Sequence, residues 1–530
     1  MMLASRVLLL GVLLAASRAR VDRTREPGEA GTAVTDAAIR QLQETCIFEN
    51  DFQFLRRTAW AQTEFGQIPG TFEKGRLGGM YAVTSADFER TNQPANYQAY
   101  ERDRLVRLVR EKLDINYNEI SYDKGDALRP LHAAVMTRMF WQSHRRTNVL
   151  IPIGVTNQAQ TWKQYFGGAK KLTSQNFIDS AKRIPEFCKA GGADILFALD
   201  GSRSIKAKDF KKMKAFIKLV VSAFSIGPTA YQFAVDQFSN KAIHNVAFNG
   251  YQGDAVAFGK KVDRIRQIND GTRTDFGLNL ARETSFSEKR GARSARLGYA
   301  KIVVLLTDGE SNKKKLTLRA AQKAKEDGLV LFAIGVGEIN PKEIHDIASE
   351  PKCMRKYTLK DFNQLAEGFP EELRAQTCKT PSVVAVSQKV IETTVTKDQE
   401  LFYEIQANVT TGVRFDVEMK RGSVTIYLSQ IVRAPDGVAY DFEMKATTSS
   451  PGRQVIEAAE LRQNRAPGSP DETLTPIYVS VEGTGNTNAF KLTTLTGPDF
   501  EDSSSGSATF VGASSLALLS LSILLRLFAC

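Results

Sequence analysis

Three regimes of hydrophobic patterning follow one another along the chain. Between about residues 40 and 185 apolar positions recur at helical spacing, most clearly over 97–113 and 128–143, and predict an α-helical module. On the first of these stretches Tyr97, Leu105, Leu108 and Val109 share a face. Arg107 and Arg110 point away from it and Arg104 sits at its edge, the pattern of a solvated helix surface. From Ala193 short continuous apolar runs take over, at 195–199, 231–238, 242–248, 301–306 and 329–336. Amphipathic stretches at 209–224, 275–284 and 316–326 lie between them. This alternation predicts an α/β doubly wound domain over 190–378, its mostly parallel sheet covered on both faces. Beyond Pro381 helical spacing disappears. Seven strand-like runs (401–409, 413–419, 424–431, 439–444, 454–459, 477–481 and 489–494) are separated by Gly, Pro, Asn and Asp, and predict a β-sandwich over 382–498. The fold class is multidomain.

The two ends suggest a compartment. Residues 1–19 carry Arg6, an apolar run and the small residues Ala15, Ser17 and Ala19, the pattern of a secretory signal peptide. At the other end Ser503, Ser504, Ser505, Gly506 and Ser507 precede a short spacer and the hydrophobic stretch 516–528. That order reads as a GPI-attachment signal, with Ser504 or Ser505 as the anchored residue and 506–530 as a removed propeptide. A membrane-spanning helix would need about 20 apolar residues, and Ser520, Ser522 and Arg526 interrupt this one. Four cysteines remain between the ends, an even number suited to disulfides in an oxidising compartment. Cys188 and Cys378 flank the α/β block, whose ends are expected to lie close together, so they are paired first. Cys46 and Cys353 then pair by default. Asn408-Val409-Thr410 is a candidate glycosylation site.

Composition adds exclusions. With 42% hydrophobic and 25% charged residues, the 530-residue chain is ordinary globular material for about three domains, neither disordered nor collagen-like. The net charge of +12 favours polyanionic glycans as secondary partners, but the basic residues are spread along the chain and carry no nucleic-acid motif. His132, His144, His244 and His345 show no metal-ligand spacing, and HExxH and CxxC patterns are absent, which argues against a zinc enzyme.

The chemistry concentrates after the apolar runs of the α/β block. Asp200-Gly201-Ser202-Arg203-Ser204 follows the first, Asp308 follows another in Leu305-Leu306-Thr307-Asp308-Gly309-Glu310-Ser311, and Thr272 lies in a loop that opens a helix. Ligands of doubly wound sheets bind beyond the carboxyl ends of strands. Two carboxylates and three hydroxyls form a hard oxygen set, suited to Mg²⁺, or to Ca²⁺ or Mn²⁺. Mostly neutral donors leave such an ion able to take a carboxylate from a partner, which is recognition and not hydrolysis. A lone Asp-x-Ser-x-Ser is commonly a helix cap, so the joint pattern carries the reading. Residues 193–378 resemble a von Willebrand factor A domain. The five positions Asp200, Ser202, Ser204, Thr272 and Asp308 match that family's metal-ion-dependent adhesion site, and 347–351 with 357–362 resemble its closing elements. The resemblance implies binding of collagens, other matrix proteins or cell-surface ligands through the metal. Arg203 is a bulky cation at a variable position of the motif.

The helical module carries a second resemblance. Thr58-Ala59-Trp60-Ala61-Gln62-Thr63-Glu64-Phe65-Gly66, with Gly78-Gly79-Met80-Tyr81-Ala82-Val83 downstream, is similar to the core of goose-type lysozymes and lytic transglycosylases. It implies Glu64 as a general acid in an apolar setting. No second carboxylate can be assigned, so the expectation is a protein that is not an enzyme. The sequence therefore points to a GPI-anchored cell-surface adhesion protein that binds an extracellular protein or matrix ligand through its carboxylate. The alternatives are a cell-surface glycosidase targeted by its A domain and a secreted extracellular matrix component, for instance of a mineralised layer.

Overall fold

The computed structural model describes residues 20–73, 78–144, 151–165, 173–186, 191–251, 253–384, 390–463 and 474–496. The stretch 1–19, Cys188, Ser504, Ser505 and the tail 506–530 lie outside them.

A two-residue strand, β1 (Val21–Asp22), precedes the helices α1 (Thr32–Glu44), α2 (Phe54–Thr63), α3 (Ser85–Thr91), α4 (Glu101–Leu113), α5 (Pro130–Gln142), α6 (Val155–Tyr165) and α7 (Ser174–Ala181). The centre of this module is α5, whose residues are buried on nearly every side. A helix apolar all round belongs inside a bundle. Two expectations are corrected. Helical structure begins at Thr32, not near 40, because Gly31 turns the chain into α1 with a φ of 98° that other residues rarely adopt. The stretch 97–113 is helical only from Glu101. Tyr97 is buried in a turn, its hydroxyl 3.0 and 3.1 Å from the carbonyl oxygens of Thr91 and Met139. Along α4, Leu105, Val106, Val109 and Leu113 are buried, while Arg104, Arg107 and Arg110 face solvent.

The α/β part comprises β2 (Ala193–Asp200), α8 (Ala207–Ser222), β3 (Gln232–Phe238), β4 (Ala242–Val246), α9 (Ala255–Asp263), α10 (Thr274–Leu280), β5 (Ala300–Thr307), α11 (Lys314–Glu326), β6 (Leu329–Val336), α12 (Pro341–Ile347), α13 (Lys352–Arg355), β7 (Lys356–Leu359) and α14 (Phe369–Cys378). Its sheet has the order β4-β3-β2-β5-β6-β7. Every neighbouring pair is parallel except β3–β4. Along β2 and β6 every residue is buried, which is why these strands read as unbroken apolar runs. Ile195, Phe197 and Leu199 enter one core; Leu196 and Ala198 enter the core on the opposite face. From β2 the chain continues to β3 on one side and reaches β5 on the other. The crevice at the carboxyl ends of β2 and β5 is the switch point of the sheet.

The last part is a sandwich of two sheets with orders β14-β12-β16-β10-β8 and β15-β11-β17-β9. Its strands are β8 (Ser382–Val384), β9 (Val390–Val395), β10 (Glu400–Asn408), β11 (Val413–Arg421), β12 (Ser423–Ser429), β14 (Phe442–Thr447), β15 (Gly452–Ile456), β16 (Leu474–Gly483) and β17 (Asn488–Leu495). Alternating side chains of both sheets, among them Tyr403, Phe415, Ile426 and Val479, form one core. Two strand expectations change. The run 439–444 is split by Asp441, whose carboxylate accepts hydrogen bonds from Ser429 Oγ (2.9 Å) and the Gln430 amide (2.8 Å). Its first piece, β13 (Ala439–Tyr440), pairs with β1 instead. The run 454–459 leaves the sheet at Ile456 and turns into α15 (Ala458–Gln463).

The three parts are fastened to one another. A disulfide joins Cys46, just past α1, to Cys353 in α13, 307 residues apart. Cys378 is also disulfide-bonded, and Cys188, the partner expected from sequence, lies outside the described residues. Beside the first bridge the Glu372 carboxylate of α14 accepts hydrogen bonds from Asn50 (2.8 Å), Gln53 (3.0 Å), Tyr357 (3.2 Å) and Gln376 (3.0 Å). Arg57 pairs with Glu371 at 2.7 Å. Gly154 and Gly368 let two backbones meet here: a Cβ on Gly154 would lie 2.3 Å from the Glu367 carbonyl oxygen.

Candidate metal site

Asp200 ends β2 and is completely buried. Its Oδ1 accepts the Ser202 amide at 2.8 Å, and its Oδ2 accepts the Thr307 hydroxyl at 2.6 Å. The hydroxyls of Ser202 and Ser204 are 2.9 Å apart, and Ser204 Oγ donates to Asp308 Oδ1 at 2.6 Å. One hydrogen-bonded path thus runs from Asp200 through both serines to Asp308, across the carboxyl ends of β2 and β5. Thr272 reaches the same place through its backbone. Its amide donates to Asn312 Oδ1 at 2.7 Å and its carbonyl accepts the Asn312 amide at 2.8 Å. Next to it, Asp270 O accepts the Arg203 amide at 2.8 Å. The structure therefore brings all three sequence-predicted loops together.

Burial is the main influence that pushes the Asp200 carboxyl up, to about 6. Hydrogen bonds from Ser202 and Thr307 pull it the other way, and the nearby Asp308 charge adds to the rise. Burial also holds Asp308 above its ordinary range. Neither carboxylate has a Lys or Arg partner among the described residues, although burying an uncompensated charge costs several kcal/mol as an order of magnitude. A hard cation would supply that compensation, and the oxygen donors fit one. No group of three or more His, Cys, Asp or Glu side chains is placed to hold a metal among the described residues. The cluster at the ends of β2 and β5 brings together two carboxylates and serine hydroxyls instead. Arg203 is exposed and pairs with Asp270 at 3.5 Å, so its guanidinium is engaged beside the site.

Several supporting residues escape the sequence reading. Thr307 holds Asp200, Asn312 holds the Thr272 loop, and Gln267 Nε2 donates to the carbonyls of Ser202 (2.8 Å) and Ile205 (2.7 Å). Ser239 Oγ donates to the Gly271 carbonyl at 2.6 Å. Only Thr307 left a signal, as the hydroxyl next to a strand-end acid. Glu64 lies elsewhere, capping α2 with a left-handed backbone (φ 50°) and half-buried. Asn408 ends β10 at a turn, where its Oδ1 accepts from the Thr410 amide (2.8 Å) and hydroxyl (2.6 Å).

Residues 194–371 match the family model of the von Willebrand factor type A domain, so this stretch is a domain of that family. Over 198 residues the chain is 30% identical to human matrilin-4, a match covering 37% of this chain and 31% of matrilin-4. It is 33% identical over 192 residues to the mouse collagen alpha-4(VI) chain, covering 36% of this chain and 8% of the collagen chain. Among solved structures it is similar to proximal thread matrix protein 1 from the mussel byssus, at 28% identity and a TM-score of 0.32, covering 39% of this chain and 52% of that one. The chain spans about a third of the length of matrilin-4.

Proposed function

We propose that the protein is an extracellular matrix or adhesion protein whose α/β domain holds a divalent cation and binds a partner through that partner's carboxylate. Asp200, Ser202, Ser204, Thr272 and Asp308 would hold the cation, with Mg²⁺ as the best fit to a set of hard oxygens. The observation that carries this reading is the buried Asp200 carboxylate, which lacks a Lys or Arg partner among the described residues and is linked through the Ser202 amide and then the Ser202 and Ser204 hydroxyls to a second acid at the sheet's switch point. Bound there, the cation supplies a positive centre for an incoming acid. Thr307 keeps Asp200 oriented, and Asn312 and Gln267 fix the loops. The similarity to a matrilin and a collagen chain supports a secreted matrix setting over a lipid-tethered one, and the Cys46–Cys353 bridge suits an oxidising compartment.

The test is retention of the full chain on immobilised extracellular matrix. Retention is expected with Mg²⁺, is lost in EDTA, and is lost when matrix carboxylates are amidated with carbodiimide. Retention that survives both treatments overturns the proposal.

A further inference from the structure

One face of the α/β domain carries positive charge with little acid to balance it. On α8, Lys208, Lys211, Lys214 and Lys218 follow the three-and-four spacing that lines up one ridge of a helix. That ridge runs about 15 Å. Lys214 Nζ donates to the carbonyls of Asp263 (2.9 Å) and Ile265 (3.2 Å), and Lys218 pairs with Asp263 at 2.8 Å. The ridge therefore lies against the end of α9, where Arg264 and Arg266 are exposed. Burial is the largest cause holding the Lys214 ammonium lower; the Asp263 charge opposes it, and the like charges of Lys218 and Lys211 add to it. Acids on these elements are few: Asp209 is taken by Lys212 and Asp263 by Lys218. Lys208, Lys211, Arg264 and Arg266 make no ion pair with any described residue.

We infer that this lysine and arginine stripe is a docking surface for a sulfated glycan, separate from the metal site. A row of like charges is costly to maintain without a polyanion, and it releases counterions when one binds. A nucleic acid fits less well. Nonspecific single-strand binding uses exposed aromatic rings as stacking platforms. The large exposed apolar side chains on these elements are Leu219 and Val256, both aliphatic, and the exposed aromatic Tyr100 lies before α4 in another part. The stripe is also continuous with the loop below the metal site, through Gln267 and its bonds to Ser202 and Ile205.

The probe is heparin in EDTA, so that failure of the metal reading leaves this test intact. Wild-type protein is expected to bind heparin at physiological salt, and the triple variant Lys208→Glu, Lys211→Glu, Arg264→Glu to bind it about tenfold more weakly or worse. The matched variant Lys315→Glu, Arg319→Glu, Lys323→Glu on α11 changes net charge equally and is expected to bind within about twofold of wild type. Thermal unfolding of both variants checks that they fold. Equal loss in the two variants overturns the inference, since net charge would then be the cause. Dependence of heparin binding on Mg²⁺, or tighter binding of single-stranded DNA than of heparin, overturns it as well.

Discussion

Asp200→Ala protein is expected to bind Mg²⁺ more than about a hundredfold more weakly than wild type, because even loss of an outer-shell partner costs about 10–100-fold. The substitution should not unfold the domain. In the metal-free wild type, a carboxyl raised to about 6 favours the folded state fully only below its unfolded value of 3.8. That contribution is lost as pH rises through about 6. At pH 7 the buried anion thus costs about 2–3 kcal/mol. Alanine removes that cost, which is already net of the bonds from the Ser202 amide and Thr307 hydroxyl, but leaves those two buried donors without their acceptor at about 1 kcal/mol or more each. The two nearly offset. Metal-free Asp200→Ala should melt at or slightly above metal-free wild type at pH 7, and only wild type should rise when Mg²⁺ is added. Thermal melts with and without EDTA check both halves, and Asp200→Asn serves as a variant of matching shape. A variant that still responds to Mg²⁺ like wild type contradicts the assignment.

The second large effect belongs to Glu372. It is 1% exposed, and donors from the helical module and from the α/β domain converge on it. Glu372→Ala leaves Asn50, Gln53 and Gln376 without their acceptor in a buried interface, while the Tyr357 hydroxyl keeps the Met354 carbonyl at 2.7 Å. Each unsatisfied buried group costs about 1–3 kcal/mol, and re-pairing among the three recovers part of it. Burial holds the Glu372 carboxyl above its ordinary range, so losing the acid returns a further fraction. A net loss of about 3 kcal/mol is expected in denaturant unfolding. Glu372→Gln, which keeps one oxygen acceptor, should lose only about 1 kcal/mol. An alanine variant within about 0.5 kcal/mol of wild type would show that the junction does not rest on this residue.

The parts of the fold that the sequence made legible share a physical cause. Strands buried on both faces, such as β2 and β6, must be apolar throughout, and sandwich strands such as β10 must alternate. What escaped depends on contacts distant in sequence. Asp441 breaks a strand because Ser429 and Gln430 bond its carboxylate, and β8 is too short to show a period. Val390–Val395 reads Val-Ile-Glu-Thr-Thr-Val, where one buried face of small β-branched residues sits among polar ones. In the site, Asp200 and Asp308 were visible as acids that end apolar runs. Thr307, Asn312 and Gln267 act through hydrogen bonds that form only once the loops meet. Glu372 was invisible for a related reason. An acid on an amphipathic helix reads as solvent-facing until another module covers it.

Calorimetric titration of the metal-free full-length protein with Mg²⁺ bears most directly on the cation site. One ion should bind per chain in the wild type, and that heat should vanish in Asp200→Asn. No uptake by the wild type, or identical uptake by both proteins, would contradict a cation held between the ends of β2 and β5.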